Sequence, residues 1–188
     1  MSPPAPPGGI EAKHYILAVL AVTLIAAVVV TVVFVVLSPA RISFRVTEAH
    51  HEKSPGGDVR LFLTINASNP SRRASVRYRS MYVDVSNNTG PQWTHWVSAN
   101  VTTPATMPLD LTTRNWTKIE ATADLVGASW VEDFTGNEMS GSFRVMITTV
   151  ARFKVGVSWT RLYDIKVACG PIDFFGNQSS INKTCTDA

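Results

Sequence analysis

Charge is scarce in this 188-residue chain, and between residues 16 and 37 it is missing altogether. Asp, Glu, Lys and Arg make up 16% of the sequence, where a soluble domain usually carries about a quarter. A helix of 22 residues without one charge does not suit the core of a small soluble domain. Cysteine is nearly absent too, with two residues at 169 and 185, and histidine occurs four times. Two cysteines without a supporting histidine pattern do not make a zinc site. The chain has no Gly-rich phosphate loop, no G-x-S-x-G elbow, no H-E-x-x-H and no Asp-x-Asp. With these motifs missing, neither an enzyme nor a bound cofactor is expected. A lumenal nucleotide-sugar transferase shares the layout of tail, anchor and domain, but the roughly 150 residues after the apolar run are few for one.

The apolar run ILAVLAVTLIAAVVVTVVFVVL is the most informative stretch present. Sixteen of its 22 residues are Ile, Leu, Val or Phe. As a helix it reaches roughly 33 Å, enough to cross a hydrocarbon core. Each such residue favours insertion by about 0.3–0.6 kcal/mol at the helix centre. Valine is a mediocre helix former in water, but lipid leaves the backbone no alternative to internal hydrogen bonds. A cleaved signal peptide is the rival reading, since Ser38 and Ala40 offer small residues at a cleavage site. The run is longer than the roughly 7–15 residues of a typical signal core, which favours an uncleaved anchor.

Orientation follows from the asparagines rather than from the flanking charges. Lys13 and Glu11 precede the run and Arg41 and Arg45 follow it, a balance that leans against a cytosolic N-terminus. Asn66, Asn87, Asn100, Asn115, Asn177 and Asn182 each open an Asn-x-Ser/Thr sequon, and all six lie after the apolar run. Nine asparagines in a chain that is about a fifth Ser and Thr give roughly two by chance. The expectation is an N-terminus in the cytosol and a glycosylated C-terminal domain in an oxidising space. There Cys169 and Cys185 are expected to pair, the alternative being two free buried thiols.

After the anchor the hydrophobic period changes to two. RISFRVT (41–47) places Ile42, Phe44 and Val46 on one face, and VRLFLTINA (59–67) does so with Val59, Leu61, Leu63 and Ile65. HHEKSPGGD (50–58) between them reads as a turn, with His50 and His51 solvated. In SVRYRSMYVDVS (75–86) Val76 and Tyr78 share one parity while Met81, Val83 and Val85 share the other, so a bulge is expected near Arg79–Ser80. NNTGP (87–91) is a turn, and WTHWVSANVT (93–102) a weaker strand, with His95 half-buried. TKIEATADL (117–125) turns Ile119, Ala121, Ala123 and Leu125 inward. GASWVEDFTGNEMSG (127–141) reads as a loop, with room for one helical turn. The alternation from Ser142 to Cys169 includes Phe143, Val145, Ile147, Ala151, Phe153, Val155, Val157 and Trp159, then Tyr163, Ile165 and Val167. It is too long for one strand and is expected to turn near Gly156. These features predict an all-β fold: an antiparallel β-sandwich of about seven strands, fibronectin III-like, behind one transmembrane helix.

Three stretches resemble a known plant family. LTINASNPSRRASVRYRSMYVDV has the strand, Asn-Pro turn and tyrosine-bearing strand of the late embryogenesis abundant group-2 domain, at Asn69, Pro70 and Tyr78. ARFKVGVSWTRLYDIKVACG is similar to that domain's Arg-Phe-Lys-Val-Gly segment, here with Arg152, Phe153 and Gly156, running on to a cysteine. The spacing of Cys169 and Cys185 resembles that of the membrane-anchored hairpin-induced-like and non-race-specific disease-resistance-like branch. Ser71 stands where the family often has a second Asn. The resemblance covers about residues 16–188. It implies a single-pass plasma-membrane protein with an extracellular domain active in defence, the hypersensitive response, or stress. It implies no ligand.

The expected organisation is a disordered cytosolic tail (1–15), a signal anchor (16–37), a β-sandwich (38–170) and a disulfide-closed glycosylated segment (171–188). The expected role is a non-enzymatic interaction module in plant defence, binding a membrane protein or the cell wall. The alternative is stabilisation of membranes or proteins during dehydration. The lipid bilayer is a partner by virtue of the anchor, and nucleic acid is not. The plasma membrane is the expected location, with endoplasmic reticulum and plasmodesmata as alternatives. Arg73, Arg77 and Arg79 share a strand face with Ser75. They are either a solvated edge or a contact for an anionic polymer such as pectin or for lipid head groups.

Overall fold

The computed structural model describes residues 10–37, 41–87, 96–104, 106–127, 131, 134, 143–176 and 180–188. The chain forms two compact units, Met1–Ser38 and Pro39–Ala188. The first holds helix α1, Ile10–Leu37. It starts earlier than the apolar run: Ile10–Tyr15, expected in the disordered tail, are helical, and residues 1–9 lie outside the described residues. Within it Lys13–Thr31 is long and apolar enough to cross a membrane. The hydroxyls of Thr23 and Thr31 are satisfied inside the helix. Thr23 Oγ1 donates to the carbonyls of Val19 and Leu20 at 3.0 and 2.9 Å, and Thr31 Oγ1 to Ala27 at 2.8 Å. No polar group of these side chains therefore needs water. The helix fits a membrane anchor or a signal sequence.

The second unit is all-β and antiparallel. Its strands are β1 (Ser43–Lys53), β2 (Val59–Asn69), β3 (Ala74–Asn87), β4 (Trp96–Thr103), β5 (Leu109–Leu111), β6 (Asn115–Leu125), β7 (Phe143–Val155), β8 (Ser158–Trp159), β9 (Tyr163–Ile172), β10 (Ser180–Thr184) and β11 (Thr186–Asp187). Seven of the eleven are the long strands the alternation predicts, and β5, β8, β10 and β11 are short additions. The hydrogen-bonded order is β10-β1-β2-β6-β4-β3-β7-β9-β11, with β5 on β3 and β8 on β7.

The additions change the architecture. A sandwich has two sheets with open edges, whereas here two segments pass between the sheets and leave the fold nearly a barrel. Strand β4 pairs with β3 through Trp96–Ala99 and with β6 through Asn100–Thr103, shifting register between Val101 and Thr103. On the opposite side the C-terminal segment does the same. Strand β10 pairs with β1, β11 pairs with β9, and Cys185 lies between them. These crossings shorten the strand edges that another chain could template. Strands β10 and β11 are thus part of the barrel wall.

The core forms as the alternation predicts. Phe44, Val59, Leu61, Leu63, Ile65, Val76, Tyr78, Ile119, Leu125, Phe143, Ile147 and Phe153 are buried. The bulge is real: the β3–β7 register shifts between Tyr78 and Ser80, so both Tyr78 and Met81 face inward. The turn near Gly156 is also present, but Val157 and Trp159 leave the inward set and are exposed. One expected turn is strand instead. His50 and His51 belong to β1, His50 stacked on Phe62 with ring centroids 4.8 Å apart and His51 Nδ1 lying 3.1 Å from the Phe174 carbonyl. The turn proper is confined to residues 54–58. NNTGP beyond Asn87, His95 and most of 127–141 lie outside the described residues. Val131 and Phe134 in that stretch are helical and buried.

Candidate interaction surface

The barrel wall carries one dense group of charge and aromatic surface. Register puts Asp110 of β5 opposite Arg77 of β3, Arg77 opposite Arg152 of β7, and Lys154 of β7 opposite Trp159 of β8. All five side chains lie on the outer face, since their neighbours Val76, Tyr78, Ala151 and Phe153 point inward. The Trp159 ring lies against three cations. The guanidinium carbons of Arg152 and Arg77 are 4.3 and 4.8 Å from its centroid and Lys154 Nζ is 5.8 Å away.

Among the described residues, Arg77 is the cation of this group with a carboxylate partner. Its Nε and Nη2 reach the two oxygens of Asp110 at 2.5 and 2.7 Å, a two-pronged pair. These hydrogen bonds above all, backed by the charges of Arg77, Arg152 and Lys154, hold the Asp110 carboxyl below the usual carboxylate range. Arg152 Nε is buried without a hydrogen-bond partner among the described residues. Three cations around one acid leave an excess of positive charge held over a partly exposed ring. Such a surface suits an anionic partner.

The arginines read from the sequence are rearranged by this geometry. Arg73 lies in the turn before β3 and Arg79 is the extra residue at the bulge, both exposed. Arg77 is committed to Asp110, so the expected triad is not one strip of free charge. Sequence reasoning missed Asp110, Arg152, Lys154 and Trp159 as companions. The only available signal was the hairpin at Gly156, which returns Trp159 beside Lys154.

The family-motif residues are structural. Asn69 is buried and fully used: Nδ2 donates to the carbonyls of Ala74 and Thr112 at 2.8 and 3.0 Å, and Oδ1 accepts from the Ser71 backbone at 3.1 Å. It ties the β2–β3 turn, including exposed Pro70, to the β5–β6 turn. Tyr78 packs on Phe44 with ring centroids 6.0 Å apart. Its hydroxyl has no hydrogen-bond partner among the described residues, and burial pushes its pKa above the ordinary tyrosine value. Phe153 packs on Tyr163 at 5.9 Å. Gly156 takes φ 59°, in the left-handed region that glycine enters without strain.

The cysteines form the disulfide Cys169–Cys185, a link between β9 and the junction of β10 with β11. The six sequon asparagines differ in access. Asn100, Asn115 and Asn182 are exposed. Asn66 is half-buried mid-strand, with Oδ1 buried and unpartnered among the described residues. Asn87 donates through Nδ2, the nitrogen that would carry a glycan, to the Phe134 carbonyl. Asn177 lies outside the described residues. Among the described residues no group of three or more His, Cys, Asp and Glu is placed to hold a metal ion.

No protein-family model matches this chain. No curated protein matches it either. A solved structure, described as the crystal structure of a protein from Archaeoglobus fulgidus, is similar over 70% of this chain and 95% of its own length, with 10% identity and a TM-score of 0.33.

Proposed function

We propose that this chain is a single-pass membrane protein whose barrel faces an oxidising, non-cytosolic space and acts as a non-enzymatic interaction module. The observation that carries the reading is the Cys169–Cys185 bond at the C-terminal seam of the barrel. A domain whose wall is fastened by a disulfide belongs where thiols stay oxidised. The uncharged helix supports retention in the bilayer, and the exposed sequons at Asn100, Asn115 and Asn182 support the same side. The resemblance to the anchored branch of the late embryogenesis abundant group-2 family supports a place at the plant plasma membrane and a role in defence. The cation–aromatic group at Arg152, Lys154 and Trp159 supports an anionic partner such as wall pectin.

The deciding experiment is glycosidase treatment of microsomes with and without external protease. The expected result is a collapse by several glycans on a fragment that sealed vesicles protect. A domain digested in sealed vesicles, with no glycosidase shift, overturns the orientation and leaves a cytosolic protein on a tether.

A further inference from the structure

One end of the barrel has a composition that folding does not require. The start of β1 pairs with the end of β2, which meets the start of β6, and the start of β3 pairs with the end of β7, which pairs near the start of β9. The turns after β2, β5, β7 and β8 therefore cluster at the end where the chain enters at Ser43. Arg72 and Arg73 occupy the first of these turns, Arg114 the second and Arg161 the fourth, all exposed. Asp164, the second residue of β9, is an exposed acid at the same end.

Exposed apolar groups sit among these arginines. Val157 is 95% exposed at the tip of the β7–β8 hairpin, and Leu162 and Trp116 are exposed beside the next turns. Gly156 and Val157 are the two central residues of that hairpin turn, with φ positive at the glycine only, the pattern of a II′ turn. Position two of such a turn has no need of an apolar side chain, and a β-branched one there is stiff. The surface is also fixed in shape. The Arg114 amide donates to the Ser71 carbonyl at 3.1 Å, Asn69 joins the same two turns, and the Thr160 amide donates to the Phe153 carbonyl at 2.8 Å. A rigid end carrying arginines around apolar tips has the chemistry of a bilayer interface, where guanidinium meets phosphate and short apolar side chains enter the head-group layer.

We infer that this end of the barrel docks on the phosphate layer of the same membrane that carries α1, with Val157 and Leu162 inserted and Arg72, Arg73, Arg114 and Arg161 on lipid phosphates. The inference rests on the reading of α1 as a retained anchor. In sequence only residues 38–42 separate α1 from β1, and β1 begins at this end of the barrel. The opposite end differs. There Arg60 is paired with Asp124, Glu52, Lys53 and Asp58 stand beside them, and Val126 is 68% exposed.

That exposed valine supplies the control. The full chain, with either Val157→Cys or Val126→Cys labelled by an environment-sensitive dye, is placed in nanodiscs of phosphatidylcholine with or without phosphatidylglycerol. Head-group spin label is expected to quench the dye at 157 at least twofold more than at 126, more so with the anionic lipid. Charge reversal at Arg72, Arg73 and Arg161 is expected to remove the difference. Amide exchange on the unsubstituted chain gives an independent reading, with residues 156–158 slowed several-fold in anionic nanodiscs and residues 54–58 unchanged. Equal quenching at 157 and 126, with the chain retained after alkaline carbonate, overturns the docking alone. Release by carbonate overturns the anchor reading beneath it. A dye at 157 silent to lipid but shifted by polygalacturonate overturns the docking in favour of an acidic polysaccharide.

Discussion

The barrel is closed twice, and the two closures are built from different materials. Strand β4 passes from β3 to β6 on ladder hydrogen bonds and half-buried Val97, Ala99 and Val101. Side chains add to it, with Ser98 Oγ on Asp84 at 2.7 Å and Thr103 Oγ1 on Glu120 at 3.0 Å. The crossing from β1 to β9 through β10 and β11 has less apolar anchoring, since of residues 180–187 Ile181 and Cys185 are packed against the core. The Cys185 amide donates to Phe44 and the Ala188 amide to Lys166, and the disulfide to buried Cys169 supplies the rest. One strand-crossing is held by contacts that persist in any compartment. The other is held by a bond that only an oxidising compartment maintains. The same topological device thus ties the fold of one seam, and not the other, to where the protein resides.

The largest expected effect breaks that comparison at the covalent seam. Replacing Cys169 and Cys185 by serine, or reducing them, is expected to destabilise the barrel by about 3 kcal/mol, the chain-entropy value for a loop of this length. Denaturant unfolding of the full chain with and without reductant reads it. Amide exchange should then quicken across residues 180–187 and stay slow across 96–103. If both segments loosen together, the seams are one cooperative unit and the contrast fails.

A smaller effect sharpens the comparison from the other side. Val101→Ala removes half-buried apolar surface from β4 and is expected to cost about 1 kcal/mol. The loss should be the same in oxidised and reduced protein, because no covalent bond supports that seam. A loss that doubles on reduction would show that β4 leans on the disulfide across the barrel. Additivity of the Val101 and cysteine substitutions tests the same point in one cycle.

How far these features were legible depends on their range in sequence. The inward faces of β2 and β6 were, because alternation is a local property and Val59–Leu125 pairing only assembles it. So was the bulge at Arg79, since a parity switch within one segment leaves no other solution. His50 and His51 misled, because a polar run reads as a turn when the strand it extends gets its burial from Phe62 and Phe174. The two seams were not legible: β4 alternates through Val97, Ala99 and Val101, but nothing local in it or in β10–β11 says that each crossing draws its partners from two sheets far apart in the chain. The cation–aromatic group fails for the same reason, as Asp110 reaches Arg77 across 33 residues and Trp159 only after a hairpin. The six sequons were legible as a pattern, but not that the Asn87 amide is occupied by Phe134.

The smallest effect lies between the seams and should distinguish neither. Tyr78 is buried on β3 against Phe44 of β1, with its hydroxyl unpartnered among the described residues. A buried hydroxyl without a hydrogen bond opposes folding, so Tyr78→Phe is expected to be neutral or stabilising by up to about 1 kcal/mol near pH 7. The pH dependence identifies the cause. Burial raises the Tyr78 pKa in the folded state, so the folded protein holds this proton more tightly than the unfolded chain. Its contribution is fully present below the ordinary tyrosine value near 10 and falls away as pH rises from there toward the folded value. The native protein should therefore lose stability with a steeper slope above about pH 10 than Tyr78→Phe does. Tyr15, Tyr82 and Tyr163 remain in both proteins, so the difference in slope belongs to residue 78 alone. Denaturant midpoints at pH 8 and pH 11 measure it, and parallel slopes would mean that water reaches the hydroxyl inside the barrel. Because Tyr78 touches the core that both closures share, exchange at 96–103 and at 180–187 should respond equally. A response confined to one segment would locate the core's mechanical coupling to that seam, and would make the covalent and non-covalent closures unequal even before reduction.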